Sequence, residues 1–272
     1  MRKHWIAIAA GMMLTAGCAA CAEAEVSLPE QEIYNADGIV ITATGIEEGF
    51  MGPEIKLSID NGSGNDITVQ TRQVAVNGYM QDSALFSSDV ASGKKAIDSL
   101  SLSTSELDQC GIGEIRDLEF RIAVIDPDSW EDISVSDLID LETTGAEDYV
   151  QEYDESGTVL YEDETLKLIG KEMTEEPGWG AEYNVYIENS GDETINVSVQ
   201  NSSVNGYMAD ALMAQEVTPG NHAIGSITIF ETDLENAGLT ADDITELEVS
   251  FYVFDSEFNT VKEMDPVVIT IE

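Results

Sequence analysis

The sequence predicts an all-β protein: two tandem antiparallel β-sandwich domains, each with one short helical turn, behind an N-terminal signal peptide. Three observations carry this. Apolar and polar residues alternate in short runs, as in Ile39, Ile41 and Ala43 or Leu166, Leu168 and Gly170, so each strand has one buried and one wet face, the mark of antiparallel sheets. The chain matches itself at offsets of 127 to 129 residues. Its first residues have the charge and hydropathy pattern of an export signal.

Arg2, Lys3 and His4 form a positive n-region, and Ile6 to Ala16 is an apolar stretch too short to span a bilayer; small residues follow. Residues 1–22 are therefore read as the signal peptide and the start of a tether, which continues as an acidic segment over 23–31. The segment Leu14-Thr15-Ala16-Gly17-Cys18 resembles a bacterial lipobox. That resemblance implies cleavage after Gly17, lipidation of Cys18, and a lipid anchor in the membrane, with the protein on the outer face of the cell membrane. Thr15 stands where an aliphatic residue is usual, with Leu14 one place further out. Ordinary cleavage at Ala20-Cys21-Ala22 or Ala22-Glu23-Ala24 is the alternative, and it releases a secreted protein.

The chain carries 54 acidic and 11 basic side chains, a formal net charge of −43. Such a surface repels phosphate backbones and anionic lipid, which argues against nucleic-acid binding and a polybasic membrane grip. The three cysteines, Cys18, Cys21 and Cys110, imply no disulfide framework. Cys110 reads as a small apolar residue at a helix end.

The internal repeat is the most informative feature. At an offset of 128, Asn61, Ile67, Val69 and the run Val76-Asn77-Gly78-Tyr79-Met80 fall on Asn189, Ile195, Val197 and Val204-Asn205-Gly206-Tyr207-Met208. Strand patterns recur with it: Ile55, Leu57 and Ile59 against Tyr183, Val185 and Ile187, and Phe120-x-Ile122-x-Val124 against Val249-x-Phe251-x-Val253. About seven short strands per copy, separated by turn signals, indicate a β-sandwich. The apolar phase slips by one residue between Val69 and Val74 and again between Val197 and Val204, which needs a bulge or a strand that changes sheets. Asn77-Gly78 and Asn205-Gly206 signal tight hairpins with positive φ, followed by a packed tyrosine. Thr232 and Glu235 form a capping box with Gly238 suited to the left-handed end of a helix; Ser105, Asp108 and Gly111 are its counterpart. The domains are placed at 32–142 and 158–272, joined by an acidic linker over 143–157.

Catalytic scaffolds are scarce. His222 is expected as a solvated turn residue after Pro219-Gly220-Asn221, and no GxGxxG, P-loop or HExxH is present. A carbohydrate-active carboxylate pair needs a deep cleft that small sandwiches seldom supply, so the chain is read as non-enzymatic. Asp126 and Asp128, with Asp255 and Glu257 in the second copy, lie two apart in loops and suggest a Ca2+ site and a calcium-stabilised adhesive rod as the alternative function. No other cofactor is suggested. Trp130 and Phe258 share one loop position in the two copies. Such aromatics commonly plug the ends of a core; exposed on the rim, they stack on sugar rings or anchor a protein.

With these features in place, the chain resembles Gram-positive bacterial surface lipoproteins with tandem immunoglobulin-like domains of unknown function. The segments that carry the resemblance are ITVQ…VAVNGYM at 67–80, INVSVQNSSVNGYM at 195–208, LEFRIAVIDPDSW at 118–130 and LEVSFYVFDSEF at 247–258. It implies two immunoglobulin-like sandwiches without assigned catalytic residues, serving as a binding or spacer module for an unknown extracellular protein or glycan.

Overall fold

The computed structural model describes residues 27–144, 149–176 and 179–271, so the signal region with Gly17 and Cys18 lies outside the described residues. The first sandwich comprises β1 (Gln31–Ala36), β2 (Ile39–Glu48), β3 (Pro53–Asn61), β4 (Ile67–Val76), β5 (Tyr79–Met80), β6 (Ser87–Val90), β7 (Lys94–Ser101), α1 (Thr104–Gln109), β8 (Asp117–Ile125), β9 (Asp132–Val135) and β10 (Ile139–Glu142). One sheet runs β1-β2-β3-β7. The facing sheet has β4 beside β8, with β5 and β6 pairing β4 and with β9 and β10 pairing β8. The chain crosses between sheets after β3, after β6 and through α1. That is the Greek-key path of an immunoglobulin-like sandwich.

The second sandwich repeats this path with β11 (Thr158–Glu162), β12 (Leu166–Glu176), β13 (Gly180–Asn189), β14 (Ile195–Val204), β15 (Tyr207–Met208), β16 (Ala211–Leu212), β17 (Ala214–Val217), β18 (His222–Phe230), α2 (Glu231–Ala237), β19 (Glu246–Phe254), β20 (Thr260–Glu263) and β21 (Val267–Thr270). Here β11-β12-β13-β18 face a sheet in which β14 pairs β15, β17 and β19, while β20 and β21 pair β19. Among the described residues no helix is long and apolar enough to cross a membrane.

The alternation sets which face is buried. Ile55, Leu57 and Ile59 of β3 point into the first core, and Val249, Phe251 and Val253 of β19 into the second. The phase slips are bulges: register shifts between Arg72 and Ala75 and between Gln200 and Ser203, with Gln73 and Asn201 at φ 55° and 53°. Each bulge flips the following apolar residues back onto the core face. Both Asn-Gly pairs form two-residue hairpins with φ near 49° and 80°, the conformation that twists with the strands and that Asn and Gly tolerate best.

The helices correct one detail of the sequence reading. α2 is capped at Phe230, so Thr232 lies inside its first turn and forms no capping box; Gly238 closes it at φ 73°. A reciprocal contact occurs later, where the Asp243 carboxylate accepts the Thr240 backbone N–H at 2.9 Å. The first copy differs in the same way: Ser103 precedes α1, so Ser105 lies inside its first turn and does not cap it, and buried Cys110 ends the helix with Gly111 beyond it at φ 66°.

The two cores interlock. Ile169 and Tyr186 of the second sandwich belong to the first core, while Ala75 and Met80 of the first belong to the second. The linker joins them as well: Gln151 is buried and Tyr153 packs between the two halves.

Candidate functional site

Two places gather the side chains with functional chemistry: the matched loops after β8 and β19, and the junction between the sandwiches. In the loops, Trp130 and Phe258 are 67% and 81% exposed, so neither plugs a core end. Both sit at positive φ, 61° and 64°. The backbone bonds around them identify the bulge position after a hairpin turn: Asp126 O accepts the Trp130 N–H while Asp126 N–H donates to Glu131 O, and Asp255 O accepts the Phe258 N–H while Asp255 N–H donates to Asn259 O; glycine is the ordinary occupant there. A bulky residue there is strained. Phe258 stacks on Phe254 at 5.6 Å, and Phe254 on Tyr252 at 5.7 Å, giving a partly exposed aromatic row on the outer face of β19. Phe50 and Trp179 are also exposed.

The acidic residues of the same loops have a local role. Asp126 Oδ1 accepts the backbone N–H groups of Asp128 and Ser129 at 2.9 and 3.0 Å. Asp255 Oδ1 accepts those of Glu257 and Asn259 at 2.9 and 2.8 Å, and its Oδ2 takes the Asn259 amide. These bonds hold both carboxyls below the usual aspartate range, Asp126 through the Ser129 and Asp128 N–H groups and Asp255 through Asn259. Among the described residues no three His, Cys, Asp or Glu side chains converge as a ligand set. Asp128 and Glu257 lend their backbone N–H groups to the turns.

The junction is built on the first Asn-Gly hairpin. Gly78 O accepts the His222 N–H at 2.8 Å, a parallel bridge joining β5 to β18. Tyr79 is 2% exposed and meets Tyr153, His222 and Tyr186 at centroid distances of 5.3, 5.8 and 6.5 Å. His222 stacks on Tyr153 at 3.8 Å and shares a hydrogen bond of 2.7 Å with Tyr186 through Nδ1. The Tyr153 hydroxyl donates to Asn77 O, the Thr218 hydroxyl to Met80 Sδ, and the Asn221 amide to Glu119. Lys171 lies over the Tyr186 ring and donates to the Asp154 and Ser156 carbonyls, tying down the linker.

His222 is therefore not the solvated turn residue its sequence context suggested. Burial lowers its pKa, against a smaller opposing pull from Glu188 and Glu155, and burial raises the Tyr79 and Tyr186 phenols. A cleft of about 460 Å³ opens beside this cluster, with Asp108, Cys110, Asp154, Lys171 and Asn184 on its walls. The Cys110 thiol is pushed up to about 12, chiefly by burial, so it rests as a neutral thiol and not as a nucleophile. The aromatic groups pack against and hydrogen-bond with one another across the junction.

Sequence reasoning missed the junction because Tyr79 and Tyr207 occupy the same tetrapeptide. A signal was nonetheless present in the outward positions of the repeat. Where the first copy has Thr42, Ser58 and Lys95, the second has Ile169, Tyr186 and His222, an apolar face in place of a wet one.

No family model and no curated protein matches the chain. Among solved structures it is similar to the YadV chaperone, at 12% identity and TM-score 0.25, covering 85% of this chain and 100% of that one. It is also similar to a conserved domain protein from Bacillus anthracis, at 13% identity and TM-score 0.29, covering 89% and 92%. A protein of unknown function from Porphyromonas gingivalis W83 matches at 12% identity and TM-score 0.23, covering 83% and 95%.

Proposed function

We propose that this chain is a non-enzymatic surface lipoprotein. Cys18 anchors it to the outer face of the cell membrane, and two clamped immunoglobulin-like sandwiches present aromatic loops to an extracellular protein or glycan. One observation supports the reading above others: Trp130 and Phe258 are exposed and held at left-handed φ in the same loop of both copies. Residues kept in a costly conformation with no core to fill are candidates for contact with a partner.

The anchor is tested by palmitate labelling and mass spectrometry of the N-terminus. Label on Cys18, lost in Cys18→Ala, is expected; an unmodified N-terminus near Glu23 contradicts the anchor. For the loops, Trp130→Gly relieves the backbone and is expected to raise stability by about 1 kcal/mol in denaturant titrations. The same variant should lose retardation in affinity electrophoresis through cell-wall glycans, or capture of extracellular protein. Unchanged binding in Trp130→Gly and in Phe258→Ala removes the aromatic loops from the account.

A further inference from the structure

The two Asn-Gly hairpins have the same sequence and opposite environments. Tyr79 and Met80 are buried under the second sandwich, whereas Tyr207 and Met208 are 55% and 78% exposed, with Leu212 and Trp179 exposed at the same end. Among the described residues nothing covers the second hairpin. The first hairpin docks on the outer face and free edge of a β-sheet: it meets Tyr186 of β13, and Gly78 O takes the N–H of His222 at the start of β18.

The matching surface of the first sandwich is open. Ser58 of β3 stands at the position of Tyr186, and Lys95 and Ile97 of β7 at those of His222 and Ile224. Ile97 is 79% exposed, while Ile224 packs against the first core. β7 is the edge of its sheet beyond β3, bridged only at Ser101 by Leu85 among the described residues. The contact within the chain specifies a copy of this chain as the occupant, because the exposed hairpin has the sequence of the one already docked on the matching face of the second sandwich. Lys56 and Lys95 on the β3–β7 face are paired with Glu54, Glu47 and Asp60, so apolar contact and the open strand edge carry the docking against the mutual repulsion of two acidic chains.

We propose that the Tyr207–Met208 hairpin of one copy docks on the β3–β7 face of another, at Ser58, Lys95 and Ile97. The contact that the two sandwiches make within one chain is thus repeated between chains. Such a contact is heterologous, so copies join head to tail and extend instead of closing as symmetric dimers. Ser58 and Lys95 in place of tyrosine and histidine make it weaker than the contact within the chain. The proposal does not depend on the surface-module reading.

The test is sedimentation velocity of the full chain up to about 1 mM, the range of weak specific association. Mass is expected to rise with concentration beyond the dimer. Ile97→Glu and Met208→Glu, both at exposed positions that leave the fold intact, should each weaken association by at least about tenfold. Mixed in equal amounts, the two variants should pair once, through the one intact end that each retains, and stop at a dimer. A monomer throughout overturns the proposal. So does association that survives in Ile97→Glu, which would indicate a symmetric contact or one through another segment.

Discussion

Asparagine does more in this fold than form turns. Asn77 Oδ1 accepts the backbone N–H groups of Arg116 and Asp117 while its amide donates to Glu114 O, and Asn205 repeats this with Thr245, Glu246 and Asp243. The hairpin is thereby stapled to the start of the neighbouring strand in both copies. Asn61 and Asn189, both buried, donate across the loops to Val90 O and Val217 O. The glycines beside the hairpin asparagines give an internal comparison. Gly78 and Gly206 share the same left-handed φ, yet a Cβ at Gly78 would stand 2.5 Å from the Tyr153 hydroxyl and one at Gly206 meets nothing. Gly206→Ala is expected to cost about 1 kcal/mol, the left-handed penalty alone. Gly78→Ala should cost roughly twice that, since a hydrogen bond of the linker is displaced as well. Equal losses in urea titration would mean that Tyr153 does not rest on the hairpin.

His222 makes the junction sensitive to acid at the same scale. Its folded pKa is lowered below the ordinary 6.5, so on acidification the unfolded chain takes up a proton that the folded chain refuses. The stability it contributes is present above that ordinary value and is lost as pH falls below it. The free energy of unfolding of the native chain relative to His222→Gln is therefore expected to decline between about pH 7.5 and pH 5.5. A constant or rising difference would show that the imidazole is not sequestered.

At the scale of elements, strand positions were legible because a half-buried strand must alternate, and the bulges were legible because a phase slip has few physical solutions. Helix starts were not. Thr232 and Glu235 satisfy a capping pattern, but β18 runs on through Phe230 and the helix begins directly after it. Nor could local pattern show that β13 is covered on both faces. Tyr186 points away from the second core and is fully buried because the first sandwich lies over it. Tyr186→Ser, which installs the residue of the first copy, should remove about 3 kcal/mol from the junction. Calorimetry is expected to show one unfolding transition for the native chain, whose cores interlock, and two for the variant. If the variant still melts in one transition, the sandwiches are coupled by something other than this face.

For the whole molecule, the repeat explains both the symmetry of the fold and the place where it breaks. Two copies of one Greek key need only one junction, so one hairpin is covered and its twin is left in water. The burial of Tyr79 and Met80 follows from the arrangement of the two domains, which no window of sequence contains. The aromatic loops were found from sequence by their matched positions; their exposure was not, since an aromatic residue serves a core or a surface equally well by composition.

The most direct measurement is hydroxyl-radical footprinting of the native chain, comparing the two identical hairpins within one molecule. Met208 is expected to oxidise several times faster than Met80, and Tyr207 faster than Tyr79, with the difference vanishing in denaturant. Equal rates in the native protein would contradict the clamped junction, because two hairpins of the same sequence differ here only in what covers them.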